Sequence, residues 1–141
     1  MNQDTRDFEQ FMKQREQAAS AFVSGDIGPL SAIAAHTSRA SFFGPRGGFE
    51  QGAEHVLEVY ERDCAHFAAG ESRFEILHMA AGDSVAYWTG LQHATTRFKG
   101  SDKAVPMRLR VTEIFRREGR EWKLVHRHAD MLTEAGAAGG K

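Results

Sequence analysis

The segment 107–132, MRLRVTEIFRREGREWKLVHRHADML, carries more structural information than any other part of the chain. Apolar and polar residues alternate on both sides of Glu118-Gly119, the pattern of two long strands joined by a tight turn. One acid, Glu113, falls among Leu109, Val111 and Phe115 on the apolar face of the first strand. Burying an unpaired carboxylate is costly, so Glu113 needs a partner or a task. The second strand ends in a His-x-His pair, His126 and His128.

The turn decides which side chains share a face. A two-residue turn at Glu118-Gly119 would hold Glu118 at positive φ, which Glu tolerates poorly. A three-residue loop, Arg117-Glu118-Gly119, needs positive φ only at Gly119 and is preferred on that ground. It pairs Arg116 with Arg120, Glu113 with Lys123, Val111 with Val125 and Leu109 with Arg127. The inner face then holds Leu109, Val111, Glu113, Phe115, Val125 and Arg127. Ile114, Trp122, Leu124, His126 and His128 fall on the outer face. A turn changed by one residue swaps the second strand's faces and sets His126 beside Glu113.

Upstream, period-two patterning predicts strands at about 72–81, 84–98 and 104–117, with the last at 121–131. Along 84–98, Val85, Tyr87, Thr89, Leu91 and His93 share one face, and Ala86, Trp88, Gly90 and Gln92 the other. Helical spacing appears at 5–24, where Phe8, Phe11, Met12, Arg15, Ala18, Ala19 and Phe22 follow one stripe. Asp4 is the expected N-cap. A short helix is expected at 29–36 behind Pro29, a short strand at 40–43, a turn at 44–48 and a third helix from about Gly52 to Ala69, ended by Gly70. Three helices and then four antiparallel strands make an α+β layout, with helices on one side of the sheet. Residues 1–132 read as one domain, and 133–141 (TEAGAAGGK) as a flexible tail.

Composition narrows the function classes. The formal charge is −1 with both signs interspersed, which argues against a basic nucleic-acid face. The single cysteine, Cys64, cannot form an intrachain disulfide and points to a reducing, cytoplasmic setting. No segment has the apolar length of a membrane span, so no membrane partner is expected. Ten Phe suggest a core or cavity wall of flat apolar surfaces.

Several local cues together resemble one family. They are Ser24-Gly25-Asp26, Gly47-Gly48 with Gly52, Ala86-Tyr87-Trp88, Val111-Thr112-Glu113-Ile114-Phe115, and Trp122-Lys123-Leu124-Val125-His126-Arg127-His128. The chain resembles the nuclear-transport-factor-2-like superfamily, in its SnoaL-like or ketosteroid-isomerase-like branch. It is also similar to the association domain of calmodulin-dependent protein kinase II. The resemblance implies a cone-shaped, cystatin-like α+β fold, its curved antiparallel sheet wrapped around the N-terminal helices. It also implies a homodimer and the Tyr87 face turned inward. Where ketosteroid isomerases carry a carboxylate base, this chain has Ser41-Phe42-Phe43-Gly44-Pro45, without an acid. Such a fold spans isomerases, dehydratases, ligand binders and association modules, so function must come from the site.

Glu113 is the first candidate. Among apolar walls it could serve as a general base or a neutral donor; alternatively it forms an ion pair with Lys123 or Arg127. Tyr87 and His93 could orient a carbonyl or move a proton; alternatively they are a packed aromatic and a histidine at the cavity mouth. Arg127, Thr89, Val111, Phe115 and Phe22 are the candidate ligand contacts. His126 and His128 share a face and could begin a metal site, but no third ligand sits at a telling spacing, so no metal or other cofactor is expected. The expected partners are a small apolar molecule in the pocket and a second copy of the chain. That copy would dock on an outer sheet face carrying Trp88, Ile114, Trp122 and Leu124. The leading function is a small-molecule pocket, open to isomerase- or dehydratase-like acid/base chemistry on an apolar ligand; the alternative is a non-catalytic homodimeric association module.

Overall fold

The computed structural model describes residues 2–133. Helix α1 (Gln3–Phe22) buries Phe8, Met12, Arg15, Ala18 and Ala19, one stripe at helical spacing. Its N-cap is Asn2, not Asp4: the Asn2 side chain accepts the Thr5 amide at 2.8 Å. Helix α2 (Gly28–Ile33) has Pro29 in its first turn and ends sooner than 36. Strand β1 (Ser41–Phe43) and β2 (Phe49–Gln51) form a small hairpin around residues 44–48. Strand β2 is additional to the expected elements; with only three residues, mostly exposed, it leaves no period-two signal. Helix α3 (Ala53–Cys64) precedes four long strands: β3 (Phe67–Ala81), β4 (Val85–Phe98), β5 (Val105–Glu118) and β6 (Glu121–Met131).

The third helix is therefore shorter than expected and β3 starts at Phe67. Phe67 is buried between the rings of Phe22 and Phe98, which draws the chain into the sheet early. Gly70 does not stop a helix. It lets β3 pass close under α1, since a Cβ there would sit 2.6 Å from both Val23 O and Thr95 O.

The six strands lie in the order β2-β1-β6-β5-β4-β3. The sheet is curved, unclosed and mixed, because β1 runs parallel to β6 while every other pair is antiparallel. This is the expected α+β class with one parallel pairing added. The helices cover the concave face. There Phe8 packs edge-on against Phe115 and Trp122, with centroids 5.3 and 5.5 Å apart. No described helix is long and apolar enough to cross a membrane.

The β5–β6 hairpin corrects the expected register. Glu118 pairs with Glu121 around a two-residue turn, Gly119-Arg120, with positive φ at Gly119 alone. That pairing turns Trp122 and Leu124 inward, opposite to expectation. A bulge at Val125 then restores the other phase, so that Glu113 pairs with Arg127 and both face inward. On β4 the inner face is Ala86, Trp88, Gln92 and Ala94, and Tyr87 lies on the outer face. Trp88, Trp122 and Leu124 are core residues, so only Ile114 of the expected docking set is exposed.

Candidate functional site

Three neighbouring strands each contribute one side chain to a buried row. Trp88 on β4 pairs with Glu113 on β5, which pairs with Arg127 on β6. Helix α1 crosses this row and lowers Arg15 onto it. Glu113 Oε1 accepts Arg15 Nε at 2.9 Å and Trp88 Nε1 at 2.8 Å. Its Oε2 accepts Arg15 Nη2 and Arg127 Nη1, both at 2.7 Å. Arg127 Nη2 continues to Gln92 Oε1 at 2.7 Å, and Gln92 Nε2 to Ser72 Oγ at 2.9 Å. Phe74 stacks on Trp88 at 4.4 Å and lies under the Arg15 guanidinium at 5.4 Å.

Burial alone would push the Glu113 carboxyl up, but the charges and hydrogen bonds of Arg15 and Arg127 outweigh it and hold it at about 2. Glu113 is thus a fixed anion across the physiological range. Its four donors fill both oxygens, and a carboxylate so held is a poor proton acceptor.

Beside this cluster lies a cavity of about 360 Å³. Phe22, Leu30, Phe42, Phe67, Phe98 and Leu109 give it apolar walls. Arg15, Tyr60, Gln92 and Arg127 supply polar groups, and Arg46, Glu50, Arg62, Asp63 and His66 lie toward its more exposed side. Arg15 keeps one buried nitrogen, Nη1, with no partner among the described residues. Tyr60 is buried on α3, edge-on to Phe42 at 5.1 Å, and burial drives its phenol far above the usual range. Its hydroxyl has no hydrogen bond among the described residues. Most ligand pockets are built this way, with apolar walls and a few convergent polar groups.

The model for the SnoaL-like domain matches residues 13–134. The chain belongs to the SnoaL-like domain family. No curated protein matches its sequence. Solved structures similar to this SnoaL-like domain include a proposed dehydratase of the NTF2-like family from Streptomyces avermitilis, 22% identical, with TM-score 0.73 over 91% of this chain and 97% of that one. A ketosteroid isomerase-like protein from Erwinia carotovora atroseptica is 16% identical, with TM-score 0.73 over 94% and 99%. A proposed calcium/calmodulin-dependent protein kinase type II association domain from Thiobacillus denitrificans is 16% identical, with TM-score 0.65 over 85% and 93%. At these identities the likeness is one of fold.

Within the SnoaL-like domain the expected site residues fall in three places. Arg127 and Phe22 line the cavity. Glu113, Val111 and Phe115 are buried on the inner face behind it, Phe115 under the rings of Phe8 and Phe11. Tyr87, Thr89 and His93 sit on the outer face: Tyr87 OH meets His78 at 2.8 Å, Thr89 meets Thr112 at 2.7 Å, and His93 meets Glu75 at 2.9 Å. The inward expectation for the Tyr87 face is therefore overturned, because the even-numbered residues of β4 pack beneath the helices. His126 Nδ1 lies 2.7 Å from Ser41 Oγ, and no group of three potential metal ligands occurs among the described residues. Arg15 and Tyr60 lie outside the expected site set. The available signal was a polar side chain on each helix's apolar stripe, and for Arg15 also a lone inward acid requiring a cation.

Proposed function

We propose that this SnoaL-like domain binds a small molecule with an apolar body and a hydrogen-bond-accepting head. The carrying observation is the unpartnered, buried Arg15 Nη1 beside a cavity that Tyr60 and Arg127 also line. A buried donor without an acceptor costs about 1–3 kcal/mol, and a ligand oxygen in the cavity would recover it. Glu113 acts in this reading as a positioning residue: it orients Arg15 and Arg127. Proton-transfer chemistry of the dehydratase or isomerase kind is compatible with such a pocket, and the solved relatives described in those terms favour it.

Thermal-shift assays with naphthalene, 1-indanone and 1-naphthoate test the reading. The two oxygen-bearing probes should raise the melting temperature, and naphthalene should do so less. Tyr60→Phe should reduce the oxygen-dependent part. Equal responses to all three, in both proteins, would defeat it.

A homodimer through the outer sheet face is a second, compatible reading. Phe43 packs on His126 with centroids 4.7 Å apart and on Phe49 at 6.5 Å, and His126 pairs with the exposed Ile114. This band crosses four strands and is apolar enough to need a cover. Ultracentrifugation decides: a monomer at micromolar concentration, unchanged by Ile114→Arg, would end it.

A further inference from the structure

A second recess lies between α1, the end of α2 and the β5–β6 turn, and shares no lining residue with the cavity. It is an open groove of about 760 Å³. Phe11, Ile33 and Trp122 give it an apolar lining. Asp7, Gln10, Gln14 and Gln17 run along one wall, at spacings of three and four on α1. They form a stripe about 15 Å long beside the buried one.

Four cations line the groove, Lys13, Arg117, Arg120 and Lys123, against two acids, Asp7 and Glu121. A positive patch of this kind stands out on a chain whose formal charge is −1. Two of the cations are committed. Arg117 donates to Asp4, which lies outside the groove, at 3.0 Å, and covers the Trp122 ring at 4.0 Å. Lys123 reaches Glu121 at 3.2 Å and the Ala32 carbonyl at 2.9 Å. Asp7 is engaged only by the neutral Gln3 amide, at 2.7 Å. Lys13 and Arg120 are exposed and have no partner among the described residues. Even with Asp4 and Asp7 counted, the groove therefore keeps a positive excess. The side-chain amides of Gln10, Gln14 and Gln17 are also unpaired among the described residues. Below them Trp122 is 4% exposed, and its buried Nε1 donates to nothing there. A buried N–H without an acceptor is rare, because it has given up water for nothing in return.

We propose that this groove binds a small oxyanion, a carboxylate or a phosphate group, between Lys13 and Arg120, one oxygen accepting from Trp122 Nε1. The two cations stand on opposite walls, on α1 and on the β5–β6 turn, and both are long enough to converge on one group. The glutamine amides offer further N–H donors to its remaining oxygens. The site is independent of the cavity reading above.

Isothermal titration calorimetry at low salt, with inorganic phosphate and with succinate as probes, tests this. At least one probe should bind saturably, and the tighter of the two tells phosphate from carboxylate. Lys13→Gln and Arg120→Gln should each weaken binding by about tenfold, the loss of one charge-assisted hydrogen bond. Trp122→Phe should weaken it too; if that variant does not fold, the two exposed variants decide. Asp7→Asn removes the acid on the groove that no cation holds, and should strengthen binding. Lys103→Gln, an exposed cation in the β4–β5 loop at the far end of β5, should leave it unchanged. Absence of saturable binding by both probes overturns the proposal, as does unchanged affinity in Lys13→Gln or Arg120→Gln. Loss of binding in Arg62→Gln overturns it as well, since the anion would then sit in the cavity.

Discussion

Two carboxylates flank this cavity in opposite circumstances. Glu113 is fully buried and accepts four hydrogen bonds, from Arg15, Arg127 and Trp88. Asp63 is only half-buried and accepts none from a side chain among the described residues. The deeper group is held at about 2, while the shallower one is pushed up. Partners, not depth, set the direction. A carboxylate ringed by guanidinium groups becomes a fixed structural charge, and one half-buried without a hydrogen-bond donor keeps its capacity for protons.

The harshest way to break the contrast is to neutralise the deep group. Glu113→Gln leaves Arg15 and Arg127 with their charges and removes their shared counterion. Breaking a buried pair on one side costs about 3–5 kcal/mol, and here two cations lose their partner at once. We expect the urea midpoint to drop accordingly, with partial unfolding at room temperature. A small change would mean that water already reaches the cluster.

Acid attacks the same group without a mutation. The folded state prefers ionised Glu113, so its contribution is full above the ordinary value of 4.5 and disappears as pH falls towards about 2. The interval corresponds to about 3 kcal/mol. Urea titrations between pH 5 and pH 2 should show this loss in wild type and a flatter profile in Glu113→Gln.

The legibility of these features follows from how local their causes are. Alternation over 107–132 exposed the final hairpin, and the stripe of Phe8, Met12 and Ala18 exposed α1, because periodicity records burial directly. Inward placement of Glu113 followed from the same alternation. Its partner Arg127 landed on the right face for an incomplete reason: the turn was displaced to Gly119-Arg120, and the bulge at Val125 reversed the consequence. A bulge leaves no mark on hydrophobic pattern. The face of β4 was lost because Tyr87, Leu91 and Val85 look as apolar as Ala86 and Trp88, so alternation there has no sign. Arg15 and Asp63 each occupy an apolar helical stripe, but only the crossing of α1 over β5, a tertiary fact, gives Arg15 its partner, whereas Asp63 on α3 has no side-chain partner among the described residues.

A milder substitution separates the neutral donor from the charged ones. Trp88→Phe keeps an aromatic ring against Phe74 and deletes the Nε1–H that reaches Glu113 Oε1. A hydrogen bond to a charged group is worth about 1.5–3 kcal/mol, so we expect a loss near 2 kcal/mol by urea denaturation. The acid-induced loss should also begin at higher pH, since one support of the ionised form is gone. A change in stability without that movement would assign the loss to packing alone.

The smallest expected effect has the opposite sign. Burial raises Asp63, so the folded state prefers the protonated acid, and its ionised form at neutral pH weighs against folding. That burden is absent below the ordinary carboxylate value and complete above the raised one. Asp63→Asn removes the charge at nearly constant shape and abandons no side-chain partner. Because the group is partly solvated and Arg46 and Arg62 lie nearby, the gain should be only about half a kcal/mol. It should appear as a rise in melting temperature of about 1–2 °C at pH 7 that vanishes near pH 3. Glu113→Gln should lose stability under the same conditions at pH 7. If Asp63→Asn lost stability too, Asp63 would have a structural partner, and the two carboxylates would differ in depth but not in kind.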